Sequence, residues 1–220
     1  MFVAAGASPA LAVECPAAAA ELAGLIGRGS IKLELEPAPF EAGTLVYDYL
    51  LDDLAAAAAL ARGLGLADYR IEPEAGGVFR LRDRDRFDAV FSRVARGQGL
   101  AAYMGSGRYQ GRLLGSVSGR ALVVICYAAL EEGGEGPRTA NRLEVLMRFD
   151  NPFLHVLGRV FGAVFRGRLE AVMERPVRTA RRAAEAIQSS PVLAYLGIEG
   201  FEGLSPEMLE RFRTRFDLPR

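Results

Sequence analysis

At 220 residues the chain is long enough for one large domain with a buried core. Half of the residues are hydrophobic, a quarter are charged and the formal net charge is zero, so no overall field favours nucleic acid or an anionic membrane. The basic residues are arginines apart from Lys32, and with the many Ala and Gly residues this reads as a coding bias rather than as phosphate binding.

Residues 1–15 read as a flexible or signal-like N-terminus: Ala10 and Ala12 stand in an A-x-A arrangement, but no basic stretch precedes them. The expected location is cytoplasmic, with export as the alternative if residues 1–12 end a signal peptide. No apolar run reaches the roughly 18 residues of a spanning helix. Pro16 to Arg28 reads as a short helix. Ile31 to Glu36 alternates as a strand with Ile31, Leu33 and Leu35 inward, a Pro/Gly loop runs to Gly43, and Thr44 to Leu51 reads as a second strand carrying Leu45, Tyr47 and Tyr49 on one face. Asp52 or Asp53 caps an Ala/Leu helix over Leu54 to Leu64. Tyr69–Pro73 and Val78–Arg84 form a hairpin around Glu74 to Gly77, with Phe79 and Leu81 opposite Arg80 and Arg82.

Phe87, Val90, Phe91 and Val94 are spaced i, i+3, i+4, i+7, which predicts a helix over Arg84 to Arg96. Strands follow over Leu100–Met104, Arg108–Leu114 and Arg120–Leu130, with turns at Gly105–Gly107 and Ser116–Gly119. Arg142 to Phe149 alternates, with Leu143, Val145, Met147 and Phe149 on one side. Asn151 and Pro152 then open a long helix whose stripe is Phe153, Val156, Leu157, Val160, Phe161, Val164 and Phe165. Pro176 is expected to kink or interrupt it, and the pattern resumes to Gln188. The core domain is thus 16–188, followed by a helical tail, 189–220, with a short helix starting at Ser205-Pro206.

Catalytic motifs are scarce. The lone histidine, His155, has no second ligand at metal spacing, so no metal is expected. The glycine-rich run Gly105 to Gly111 leads into a strand rather than a helix, which fits hairpin turns and not a phosphate loop. Gly115-Ser-Val-Ser-Gly119 puts Val117 where a nucleophilic serine would stand. Cys126 reads as a small buried hydrophobe, and a disulfide to Cys15 requires an exported protein. The arginines of the long helix, among them Arg178, Arg181 and Arg182, read as a solvated outer face, with docking on a membrane or partner as the alternative.

The order of glycine-punctuated strands, a last alternating strand, Asn-Pro and a long C-terminal helix resembles the START-like (helix-grip, SRPBCC) superfamily over roughly Thr44 to Gln188. The resemblance implies an α+β fold in which an antiparallel sheet wraps the long helix. It also implies an apolar cavity lined by Tyr47, Phe79, Tyr109, Ile125, Met147, Phe161 and Val164. The implied function is non-enzymatic binding or carriage of a lipid-like or polyketide-like small molecule without a cofactor. The alternatives are a cyclase or aromatase using that cavity through Tyr109 or His155, and a docking module through helix 152–188.

Overall fold

The computed structural model describes residues 13–27, 31–83, 87–111, 115–130, 136–151, 162–199, 201 and 204–219. Seven strands form one antiparallel sheet: β1 (Ile31–Phe40), β2 (Arg70–Pro73), β3 (Val78–Arg82), β4 (Phe87–Gly97), β5 (Leu100–Gly111), β6 (Gly115–Leu130) and β7 (Arg138–Phe149). Their order is β1-β7-β6-β5-β4-β3-β2, a meander with the first strand lying against the last. Pro37 and Pro39 sit on edge strand β1, where a missing N–H is tolerated.

The helices among the described residues are α1 (Ala17–Leu22), α2 (Thr44–Asp52), α3 (Leu54–Gly63), α4 (Gly162–Ser189), α5 (Pro191–Ile198) and α6 (Pro206–Arg215). The chain leaves β1 at one sheet edge, passes through α2 and α3, and enters β2 at the other edge. The expected α+β architecture is therefore present, with α4 packed on the face that carries Leu33, Leu143, Val145 and Met147. On the same face Phe40, Tyr47, Tyr103 and Tyr127 join Ala183, Ala184 and Ile187 of α4 in a second, larger core.

Several local readings are corrected. Thr44 to Leu51 is the helix α2, not a strand: Val46, Tyr47, Tyr49, Leu50 and Leu51 are all buried, so helical packing overrides β-prone aromatic and β-branched residues. The predicted helix over Arg84 to Arg96 falls on β4, whose described residues are extended. Its Phe87 and Phe91 face α4, whereas Val94 packs on the opposite face beside a bulge between Arg93 and Ala95, and this mimics a helical period. Gly105–Gly107 and Ser116–Gly119 are not turns but lie within the uninterrupted strands β5 and β6. Strand β1 extends through the expected loop to Phe40, and α4 continues through Pro176 without interruption. Asn151 is exposed and non-helical, whereas Pro152, His155 and the stripe from Phe153 to Phe161 lie outside the described residues.

Other readings hold. Asp53 caps α3 by accepting from the Ala56 amide at 3.0 Å, and Ser205 caps α6 by accepting from Met208 N at 3.3 Å. The β2–β3 hairpin turns through Gly76 and Gly77, both at positive φ. On the sheet face away from α4, residues 13–27 form a cover: Val13, Ile26, Ala19 and Leu22 pack on Leu100, Ala102, Leu122, Val124, Ala140 and Leu146. Cys126 is fully buried there, as read, but it is bonded to Cys15 with the two Cα atoms 5.3 Å apart. A separation of 111 residues left no spacing signal for that pair.

Candidate functional site

Antiparallel register decides which side chains share the face toward α4. One cross-strand row reads Ile31, Met147, Ala121, Gly105, Phe91 and Phe79. The next reads Leu33, Val145, Val123 and Tyr103, and a third reads Leu35, Leu143, Ile125 and Ala101. Tyr109 is on the same face farther along β5, opposite Phe87 and Val117. Of the predicted lining, the sheet thus brings Phe79, Ile125, Met147 and Tyr109 to one face. Tyr47 reaches the same interior from α2. Phe161 lies outside the described residues, and Val164 is placed on α4 by its backbone alone.

This face is graded from closed to open. Ala101, Tyr103 and Val145 are sealed, whereas Phe79, Phe91, Ala121 and Val123 are only half-buried although apolar. Tyr109 is 43% exposed. From α4, Met173 and Val177 pack on the cluster of Leu33, Leu143, Val145 and Met147, and Ala121, Val123 and Ile125 of the sheet border the same cluster. At the half-open end adjacent strands come close where side chains are missing. A Cβ on Gly105 would stand 2.3 Å from Val90 O, and one on Gly119 would stand 2.6 Å from Arg148 O. Glycine here permits an approach of adjacent strands that no other residue allows.

The closed end carries a polar network. Arg96 donates from Nη2 to Asp48 Oδ1 at 2.6 Å and from Nε to Asp52 Oδ1 at 2.8 Å. It also donates to the Tyr127 hydroxyl, which in turn donates to Asp48. Burial opposes the Arg96 charge, but the bonds to Asp52, Asp48 and Tyr127 outweigh it and hold its pKa above the usual value. Burial, reinforced by Asp48, pushes Tyr127 up to about 12. Beside this group Asn141 donates from Nδ2 to Tyr47 Oη at 2.5 Å and accepts at Oδ1 from Arg181 Nε (2.9 Å) and Nη2 (2.6 Å). Burial lowers the Arg181 pKa. Arg181 thus leaves the proposed solvated stripe and turns inward, whereas Arg178 and Arg182 stay exposed. These groups are committed to one another, so the network ties α2 and α4 to β4, β6 and β7 rather than presenting a free acid or base. Sequence reading missed Asp48, Arg96, Tyr127 and Asn141. For Arg96, Tyr127 and Asn141 the signal was a polar group at an inward strand position; Asp48 lies on α2.

Two surface hollows lie elsewhere. One of about 480 Å³ is on the outer sheet face among Arg80, Asp88, Ser106, Arg108, Ser118 and Asp150. The other, about 360 Å³ and apolar, lies among Leu45, Val46, Pro137, Ile187, Pro191 and Phe216. Among the described residues, Tyr47, Phe79, Tyr109, Ile125 and Met147 of the predicted lining border neither one. Among the described residues no cluster of three metal-ligating side chains occurs, and no helix is long and apolar enough to cross a membrane.

No protein-family model and no curated protein matches the chain. Solved structures are similar at low level. An uncharacterised protein from Rhizobium leguminosarum aligns over 71% of this chain and 95% of its own, at 12% identity and a TM-score of 0.41. TTHA0849 from Thermus thermophilus aligns over 71% and 98%, at 13% identity and a TM-score of 0.39. The di-domain ARO/CYC BexL from the BE-7585A biosynthetic pathway aligns over 73% of this chain and 50% of its own, at 15% identity and a TM-score of 0.33. The likeness is too loose to transfer a function.

Proposed function

We propose that the chain binds an apolar small molecule, of lipid-like or polyketide-like size, between the half-open end of the sheet and α4, and that it does so as a member of the START-like superfamily. One observation carries this reading. Phe79, Phe91, Ala121 and Val123 lie on the core-facing side of the sheet, yet they keep part of their surface accessible beside a long helix. Apolar surface left at the mouth of a core is what ligand sites offer, and the few polar groups there, with Tyr109 at the rim, would orient a head group. The reading is non-enzymatic, because among the described residues Asp48, Asp52, Arg96, Tyr47 and Arg181 are each hydrogen-bonded at the closed end.

Native mass spectrometry of the purified protein, followed by organic extraction, tests it. A defined co-purifying small molecule, or a thermal shift with fatty acids or fused-ring aromatics, is the expected outcome. An apo mass with no stabilisation by either panel would overturn the reading.

A further inference from the structure

We infer that the Cys15–Cys126 disulfide is a permanent fastener, formed in an oxidising compartment, that holds residues 13–27 as a cover over the apolar outer face of the sheet. The sulfur partners are differently placed. Cys126 sits in the middle of the sheet, paired with Leu100 on β5 and Arg142 on β7, and is fully buried. Cys15 is half-buried in the cover. The two lie 111 residues apart in sequence with their Cα atoms at 5.3 Å, a separation that suits a disulfide without backbone movement.

Among the described residues the cover has few other anchors. The backbone hydrogen bonds from Ala19 N to Pro16 O and from Gly27 N to Gly24 O are internal to it. Its non-covalent anchorage is Val13, Ile26, Ala19 and Leu22 on the outer-face cluster. Ordering some fifteen residues for so few apolar side chains is unfavourable, and one covalent tie offsets part of that cost by restricting the unfolded chain. Beneath the cover lie Leu100, Ala102, Leu122, Val124 and Leu146, which together would form an exposed apolar patch if it detached.

The chemistry explains permanence. Formation takes two electrons and two protons from the Cys15 and Cys126 thiols and passes them to a protein or small-molecule disulfide, which becomes two thiols. Reversal requires a thiolate to attack one sulfur and expel the other. The reachable sulfur is that of Cys15, and attack there expels the sulfur of Cys126, which is fully buried among Leu100, Leu122 and Val124. Attack on Cys126 is blocked by its burial. A bond with these properties belongs to an exported protein and not to one kept in a thiol-rich cytosol.

The test is the thiol inventory and cover attachment of the full chain refolded in a glutathione redox buffer. Denaturing alkylation without reductant should label no cysteine, and the same after reduction in urea should label both. Dithiothreitol should reduce the native protein roughly tenfold or more slowly than the urea-unfolded one. A Cys15→Ser variant, altered at a half-buried position and checked for a native far-UV spectrum, should be cut by glutamyl endopeptidase after Glu14 and Glu21 about tenfold faster than the wild type. Two alkylatable thiols in the refolded protein would overturn the proposal. So would a Cys15→Ser cover as resistant to cleavage as the wild-type one.

Discussion

Tyr47 shows how much one side chain can couple. It is 2% exposed, its ring lies 5.1 Å from Phe40 and 5.3 Å from Tyr127, and its hydroxyl accepts from Asn141, which also receives two N–H groups of Arg181. Tyr47→Phe keeps the packing and removes the acceptor, leaving Asn141 Nδ2 buried without a partner. The expected cost is about 1–3 kcal/mol, read from urea unfolding. Alkali addresses the same residue. Burial raises Tyr47 from an ordinary 10.0 to about 12, with the Asn141 bond and Arg181 opposing. Above pH 10 the unfolded chain sheds this proton while the folded chain keeps it. The stability that Tyr47 contributes is therefore complete below pH 10 and is lost between about 10 and 12, at about 1.4 kcal/mol per pH unit. Denaturation midpoints across that range, in wild type and in Tyr47→Phe, should converge as pH rises. Leu45, Tyr47 and Tyr49 alternate in sequence and so read as one face of a strand, but on the helix Tyr47 and Tyr49 are buried while Leu45 is 56% exposed.

At the scale of the element, β5 and β6 are where glycine acts by what it lacks. Gly105 admits the neighbouring strand so closely that even a methyl group would meet Val90 O at 2.3 Å and Phe91 Cβ at 2.5 Å. Gly105→Ala should therefore cost about 3 kcal/mol or more, seen as a lowered melting temperature or loss of soluble protein. Gly76→Ala meets nothing within 4 Å, although its positive φ makes it a strained exchange as well, so its smaller loss is the control for clash against conformation. Glycines at Gly105, Gly107 and Gly119 read from sequence as turns, since punctuation by glycine means a turn far more often than a bend inside a long strand. The caps were legible because Asp53 and Ser205 act on amides three residues away. Strand β4 was not, because a bulge shifts its alternation just where Val94 completes a helical spacing.

At the scale of the whole molecule, the sheet has two faces with separate tasks: one grips α4 and grades into accessible apolar surface, and the other lies under the N-terminal cover. If the first face takes a ligand, filling its open end should compete. Ala121→Phe is expected to abolish a thermal shift by apolar ligands while its own melting temperature stays within a few degrees of wild type, a comparison made by differential scanning fluorimetry. The last strand was legible because its period is clean, and the helical pattern that runs to Gln188 matches α4. The cover and its bond were not, because a covalent contact between distant residues leaves no trace in local pattern. That bond also changes how the molecule responds to load. With Cys15 joined to Cys126, a pull on the chain ends bypasses the 111-residue span between them and acts on the interior strand β6. Single-molecule stretching should therefore give an oxidised chain shorter than the reduced one by about 400 Å of contour, taking roughly 3.6 Å per residue over those 111 residues.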